Sequence, residues 1–202
     1  MIRFGIKYEN LIKANKEHPI DEAYKLILAI KDPWESLDSI IDFVRRWDFR
    51  VPIRNNENKI KEFLLGVKTE FVALEKFNIE DLDFNSQNIN YIKYIFNKLQ
   101  EIGLQGPKRK VRLGSTGASK LMHGINPNLF VMWDKGICDY YGCYPNATGY
   151  IHFMELMQQE IREILKERGK EKIIKETGVS LPKLLDAYNW SHYSTSRSMG
   201  NK

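Results

Sequence analysis

Apolar residues return every three or four positions along most of this chain, and no stretch alternates apolar with polar residues for long enough to build a sheet. Between 34 and 47, Trp34, Leu37, Ile40, Ile41, Val44 and Trp47 share one face, so the segment is expected to lie as an amphipathic helix on a core. The same period recurs at Ile60, Phe63, Leu64, Val67, Phe71 and Leu74 within 59–77, and at Ile92, Ile95, Phe96 and Leu99 within 89–102. Two short helices broken near His18 and Pro19 account for 1–31, with Ala23, Tyr24, Ile27 and Leu28 on one face of the second. Phe153, Leu156, Met157, Ile161 and Ile164 define a helix running to about 166, and Leu184, Leu185 and Tyr188 a last one over 182–189. The expected class is all-α, a multi-helix globular fold. The short apolar pieces near Val111 and Phe130 are the places where a strand would hide. The polar run 78–85 reads as a linker, and the charged run 166–172 as a solvated turn.

A chain of 202 residues with 43% hydrophobic content has enough apolar side chain for one domain with a real core, expected over 1–190. If the helices divide into two subdomains, the cleft between them falls near 105–142. The last stretch, 191–202, carries four serines and no acid and is expected to be a flexible tail. No apolar run approaches 18 residues and no charged-then-hydrophobic leader opens the sequence. These features predict a soluble cytoplasmic protein with no membrane partner, nucleoid-associated if prokaryotic, with a monomer favoured. The two cysteines, Cys138 and Cys143, and the four histidines show no shared metal spacing, so neither a metal nor a cofactor is expected.

The charge is local. No acid occurs between Glu101 and Asp134, whereas Lys108, Arg109, Lys110, Arg112 and Lys120 contribute five cations, as many as the net charge of +5 for the whole chain. Five cations within thirteen residues make a field that attracts phosphates and releases counterions when they bind. A solvated basic loop accounts for the charges equally well. Gly114, Ser115, Thr116, Gly117, Ala118, Ser119 and Lys120 then lead into an apolar run at Leu121, Met122 and Ile125. Ser115 or Thr116 can serve as the N-cap, and Gly114 and Gly117 let the backbone turn tightly against a ligand. The amide N–H groups and positive dipole of such a helix start favour an anion. The order of residues is not that of a P-loop. Gly124, Asn126 and Pro127 force a turn, the plug Leu129, Phe130, Val131, Met132 and Trp133 must be buried, and Asp134 follows at the start of a helix carrying Ile137, Tyr140 and Tyr141. Asp134 is either a plain N-cap or a carboxylate placed to stabilise positive charge or take a proton. Tyr140, Tyr141, Tyr144 and Tyr150 either stack on bases or line a core boundary.

A helix, a Gly-containing hairpin and a second helix, with an Asp about one helix further on beside an apolar plug, resembles the helix-hairpin-helix DNA glycosylase superfamily, which includes endonuclease III and the archaeal 8-oxoguanine glycosylases. The run Ala118, Ser119, Lys120, Leu121, Met122, His123, then Pro127, Phe130, Trp133 and Asp134, also resembles uncharacterised prokaryotic proteins related to it. The resemblance implies a glycosylase-like helical fold with a helix-hairpin-helix element and a duplex DNA partner. It implies that Gly114 and Gly117 give backbone N–H groups to a phosphate, that Asp134 assists glycosidic bond cleavage, and that Lys120 is the candidate Schiff-base lysine of a bifunctional enzyme. The expected DNA-binding set is Lys108, Arg109, Lys110, Arg112, Gly114, Ser115, Thr116, Gly117 and Ser119, and the expected catalytic pair is Asp134 and Lys120. The leading expectation is base excision from a flipped nucleotide in a pocket near Asp134. A non-catalytic DNA-binding module and a helical protein that binds a nucleotide or another small phosphate are the alternatives.

Overall fold

A computed structural model describes residues 5–18, 20–47 and 51–194. Among these residues the chain forms α1 Tyr8–Glu17, α2 Glu22–Leu28, α3 Leu37–Trp47, α4 Glu57–Gly66, α5 Lys68–Leu74 and α6 Ser86–Gln100. A two-stranded antiparallel hairpin follows, β1 Gly103–Gln105 with β2 Lys110–Arg112, and then α7 Gly114–Ile125, α8 Lys135–Tyr140, α9 Ala147–Glu167, α10 Lys170–Thr177 and α11 Leu181–Tyr193. The fold is thus predominantly helical, as the periodicity requires. No helix among the described residues is long and apolar enough to cross a membrane.

Several helices begin where a short polar side chain accepts a bond from the first turn. Asp21 takes the N–H of Tyr24 at 2.7 Å, Asn85 that of Asn88 at 2.9 Å, Asp134 that of Ile137 at 3.0 Å and Asn146 that of Gly149 at 2.9 Å. Ser180 caps α11, whose first turn holds Pro182, a residue with no N–H to leave unsatisfied.

The layers follow the apolar stripes. Helix α6 packs on α7 and α9, α3 on α2 and α7, α5 on α6, and α1 on α11. At the centre runs 129–133, in which Leu129, Phe130, Val131, Met132 and Trp133 are all buried to 1% exposure or less. It forms neither helix nor strand. The Leu129 and Phe130 N–H groups donate to the Asn126 carbonyl at 3.2 and 3.1 Å, and side chains of α7 and α9 meet other backbone groups of the segment. His123 bonds the Phe130 carbonyl at 2.7 Å, Tyr150 donates its hydroxyl to the Val131 carbonyl at 2.9 Å, and the Trp133 N–H donates to Ser119 Oγ at 3.3 Å. Trp133 also donates its indole N–H to the Ser115 carbonyl at 3.2 Å and packs against the rings of Phe96, Tyr150 and Phe153.

Some boundaries differ from the sequence reading. The helix expected over 59–77 is two, because Gly66 ends α4 and Val67 leaves helical angles at φ −117°, ψ 13° before α5 begins. In the charged run 166–172 the break is confined to the exposed pair 168–169: α9 continues to Glu167 and α10 opens at Lys170, held by Ile173, which is fully buried. Its stripe is one side chain per two turns, too sparse for periodicity to reveal. Helix α11 extends through Ser191, His192 and Tyr193, and Ser194 is buried, so the first four residues of the expected tail are ordered. Pro19 and 195–202 lie outside the described residues. Of the two suspected strand sites, Val111 is in β2, whereas Phe130 is in the plug, which is not a strand.

Trp133 is the residue on which this packing converges. Trp133→Ala is expected to cost about 3 to 5 kcal/mol of stability, since it removes a large buried side chain together with its indole bond. Urea unfolding followed by circular dichroism measures this, and a loss below about 1 kcal/mol would mean that the plug is not central to the core.

Candidate nucleic-acid interface

The basic stretch forms a β-hairpin. Its register pairs Gly103 with Arg112, Leu104 with Val111 and Gln105 with Lys110. Leu104 is fully buried and its partner Val111 half-buried, so this rung faces the core. Side chains alternate across a strand, and Lys110 and Arg112 therefore share the outer face. Lys108 and Arg109 lie in the tip, 106–109, where the Gly106 N–H donates to the Arg109 carbonyl at 3.1 Å. All four cations are exposed. Arg112 pairs with Glu101 at 3.0 Å, while Lys108, Arg109 and Lys110 form no ion pair among the described residues.

Helix α7 starts directly behind the hairpin, and its first residues are placed differently from the expectation. Leu113 precedes the helix without a capping side chain, Gly114 adopts φ +76°, and Ser115 and Thr116 lie half-buried inside the first turn, so neither is the N-cap. Gly117 is small for a packing reason: a Cβ there would sit 2.5 Å from the Leu113 side chain. Ser119 is fully buried, donates to the Thr116 carbonyl at 3.0 Å and accepts from Trp133. The Ser119 hydroxyl is thus engaged inside the core, and Gly117 is buried against Leu113. The connection from α6 to α7 is the β-hairpin, and Gly114 and Gly117 belong to α7 rather than to a turn between two helices.

The two expected catalytic groups both have structural partners. Asp134 is half-buried; Oδ1 caps α8, and Oδ2 accepts a short bond from the Ser194 hydroxyl. Lys120, also half-buried, donates its ammonium to the carbonyl of Trp47 at 2.7 Å. Trp47 ends α3, and a cation on its last carbonyl groups complements the negative pole of that helix. A groove of about 410 Å³ lies between α2, α5 and the 126–128 turn, lined by Trp34, Phe71, Glu75 and Asn126 among others, and includes neither Asp134 nor Lys120. It opens at the C-terminal end of α7, about 16 Å of helical rise from Gly114. The tyrosines divide: Tyr141 and Tyr150 are core, whereas Tyr140 and Tyr144 are exposed.

A buried polar cluster went unnoticed in the sequence. His123 is fully buried. A carbonyl only accepts, so Nδ1 carries the proton given to Phe130, and Nε2 accepts from the Tyr24 hydroxyl at 2.9 Å. Burial holds the His123 pKa down to about 4, against the opposing pull of the Phe130 carbonyl and the Asp186 carboxylate, with Lys183 adding to the depression. Lys183 and Asp186 form a buried pair at 2.9 Å, and the ammonium lies 4.8 Å from the Trp47 ring and 5.3 Å from the Tyr24 ring. The available signal was a Lys and an Asp three positions apart within the otherwise apolar run that opens α11. Cys138 and Cys143 are free and buried; burial pushes the Cys138 thiol well above its usual range and Cys143 up to about 11. No cluster of three or more metal-ligating side chains occurs among the described residues.

The described residues thus make a helical fold that presents a cationic β-hairpin. Compared with protein-family models, curated proteins and solved structures, the chain matches none.

His123 makes stability depend on pH. The folded chain keeps it neutral down to about pH 4, while an unfolded histidine takes a proton near about 6.5. Stability should therefore fall as pH drops from about 6.5 towards about 4 and level off below, by on the order of 3 kcal/mol from this group. His123→Gln should be less stable at pH 7 and show a flatter profile across that window. Equal slopes for the two proteins in urea titrations would show that His123 is not the titrating group.

Proposed function

We propose that this protein binds DNA through its phosphate backbone, with the β-hairpin 103–112 as the grip. The observation that carries this reading is the run Lys108, Arg109 and Lys110, three adjacent exposed cations held on an ordered hairpin and not neutralised by any acid among the described residues. Some exposed lysines elsewhere in the chain do pair with acids, as Lys135 does with Asp139 at 2.6 Å and Lys166 with Glu163 at 2.6 Å. A tip that leaves its cations unpaired suits a polyanion, whose counterions are released on contact. Phosphate contacts of this kind position a protein without reading sequence.

Base excision of the helix-hairpin-helix type is the second reading, and Asp134 is what favours it: a half-buried carboxylate directly after Trp133, the last ring of the plug, held at a helix start. In that reading a flipped nucleotide displaces the Ser194 hydroxyl from Oδ2, and the carboxylate then stabilises positive charge developing on the sugar as the glycosidic bond breaks. For Lys120 to attack the sugar C1′ as an amine, its ammonium must leave the Trp47 carbonyl and lose a proton.

Replacing Lys108, Arg109 and Lys110 together by Ala is expected to weaken duplex binding by about 100-fold near 0.1 M salt and to reduce the slope of log K against log salt by about 3. Fluorescence anisotropy over a salt series measures both. An unchanged slope would remove the hairpin from the interface, and binding of a nucleotide with no binding of duplex would favour the small-phosphate alternative.

Asp134→Asn tests the chemistry without disturbing the fold, because Asn caps a helix about as well as Asp. Base excision predicts no cleavage of damaged or abasic duplexes by the variant, with binding retained. Wild type that cleaves none of a panel of lesions, and forms no borohydride-trapped adduct on an abasic site, would leave DNA binding alone. A trapped adduct that persists in Lys120→Ala would place the amine elsewhere.

A further inference from the structure

The hairpin is not the whole of its own surface. The loop 51–56 and the first turn of α4, some fifty positions earlier in the chain, are built onto it. Asn56 is buried and its carboxamide behaves as one more rung of the sheet: Oδ1 accepts the Gln105 N–H at 2.9 Å, and Nδ2 donates to the Gln105 carbonyl at 3.1 Å and to the Pro52 carbonyl at 2.8 Å. The edge of β1, which would otherwise offer unpaired backbone groups, is thereby closed at Gln105. Gly106 continues the junction. A Cβ there would meet the Arg109 carbonyl at 2.7 Å and the Pro52 ring at 3.7 Å, so the tip turns tightly and Pro52 lies beside it.

Two further cations arrive with this attachment. The Lys59 ammonium donates to the Gly103 carbonyl at 2.5 Å and would lie 3.8 Å from a Cβ on Gly103, the residue paired with Arg112. Lys59 therefore sits on the outer face of the same rung as Arg112. Arg54 is exposed on the loop, two residues from Asn56 and two from Pro52. Neither Arg54 nor Lys59 forms an ion pair among the described residues. Lys110 and Arg112 are two positions apart on one face, about 6.8 Å, a separation at which they can meet different phosphates of one duplex strand, whose charges recur at intervals of about 3.4 Å along the helix axis. Lys59 and Arg54 widen that row sideways, off the hairpin edge.

We infer that Arg54 and Lys59 contact the backbone of duplex DNA together with the hairpin, and that Asn56 is a positioning residue that fastens Arg54 to this surface. The inference rests on the DNA-binding reading above and extends it to a two-segment grip. Neither segment carries it alone, because the loop takes its place from Gln105 and the hairpin takes two of its cations from the loop and α4.

Anisotropy titrations of a labelled random-sequence duplex over a salt series, with the full chain, test it. Arg54→Ala and Lys59→Gln are each expected to weaken binding about fivefold and to lower the salt slope by about 0.9. Asn56→Ala, which alters no charge, is expected to weaken binding by a similar factor while circular dichroism shows the helices intact. The decisive readout is coupling: in the Asn56→Ala background, Arg54→Ala should cost less than twofold, because a loop no longer fastened to the hairpin has already lost that contact. A purely structural Asn56 would leave the Arg54 effect at its full size, and that additivity would overturn the positioning role. If the Lys108, Arg109 and Lys110 triple variant loses binding while Arg54→Ala and Lys59→Gln keep wild-type affinity and slope, the two-segment grip fails and the hairpin reading stands. If wild type itself does not bind the duplex, the underlying reading fails first.

Discussion

The structure depends on satisfying the backbone of a buried segment that has no strand beside it. The five residues 129–133 are buried almost completely, and peptide groups in that position cost several kcal/mol each if left without partners. Regular secondary structure would supply those partners from other peptide groups. Here the Leu129 and Phe130 N–H groups find the Asn126 carbonyl, and further partners come from side chains: His123 and Ser119 on α7, and Tyr150 on α9. Each of the three must point inward from its helix at a given height, so the segment dictates how α7 and α9 are rotated and how far they slide. Trp133 closes the arrangement by reaching the Ser115 carbonyl at the start of α7.

That constraint explains why several residues that look like a site are parts of the frame. Polar side chains on α7 are read most simply, in isolation, as facing a ligand. Ser119 and His123 instead face the plug, and Lys120 crosses to the end of α3. Asp134, the first residue after the plug, turns the chain into α8 and ties the Ser194 hydroxyl to the same point. The chemistry-bearing residue types are concentrated between 115 and 134 because that is where the buried backbone needs donors and acceptors. The cations Lys108, Arg109 and Lys110, by contrast, stand exposed on the hairpin in front of α7, with no ion pair to an acid among the described residues.

The buried polar cluster beneath α7 follows the same logic. His123 is held neutral by burial, and its neighbours Lys183 and Asp186 neutralise one another against the rings of Tyr24 and Trp47. An ion pair so placed contributes less to stability than to registry, since breaking it leaves an uncompensated charge whereas replacing it whole need not. It joins α2, α3, α7 and α11 at one place and ties the C-terminal helix to the first half of the chain.

Most of the helices were legible because burying one face of a helix imposes a period of 3.6 residues, which Ile40, Val44, Ile92, Phe96, Phe153 and Met157 display directly. Helix α10 was not, because a single buried Ile173 imposes no period. The burial of 129–133 was legible from its five consecutive apolar residues, but not its lack of helix or strand, since a short apolar run suits several conformations. The basic cluster could be read from composition alone; that it forms a hairpin could not, because β1 and β2 are three residues each, too short to show alternation. The sequence by itself determined the helical class and the location of unbalanced charge, both of which are local properties of neighbouring side chains. Only the tertiary structure decided which polar groups are consumed by the core and which remain on the surface, and only it brought Asn56 and Lys59 to the hairpin. Those outcomes depend on contacts between positions far apart in the chain, which no local pattern encodes.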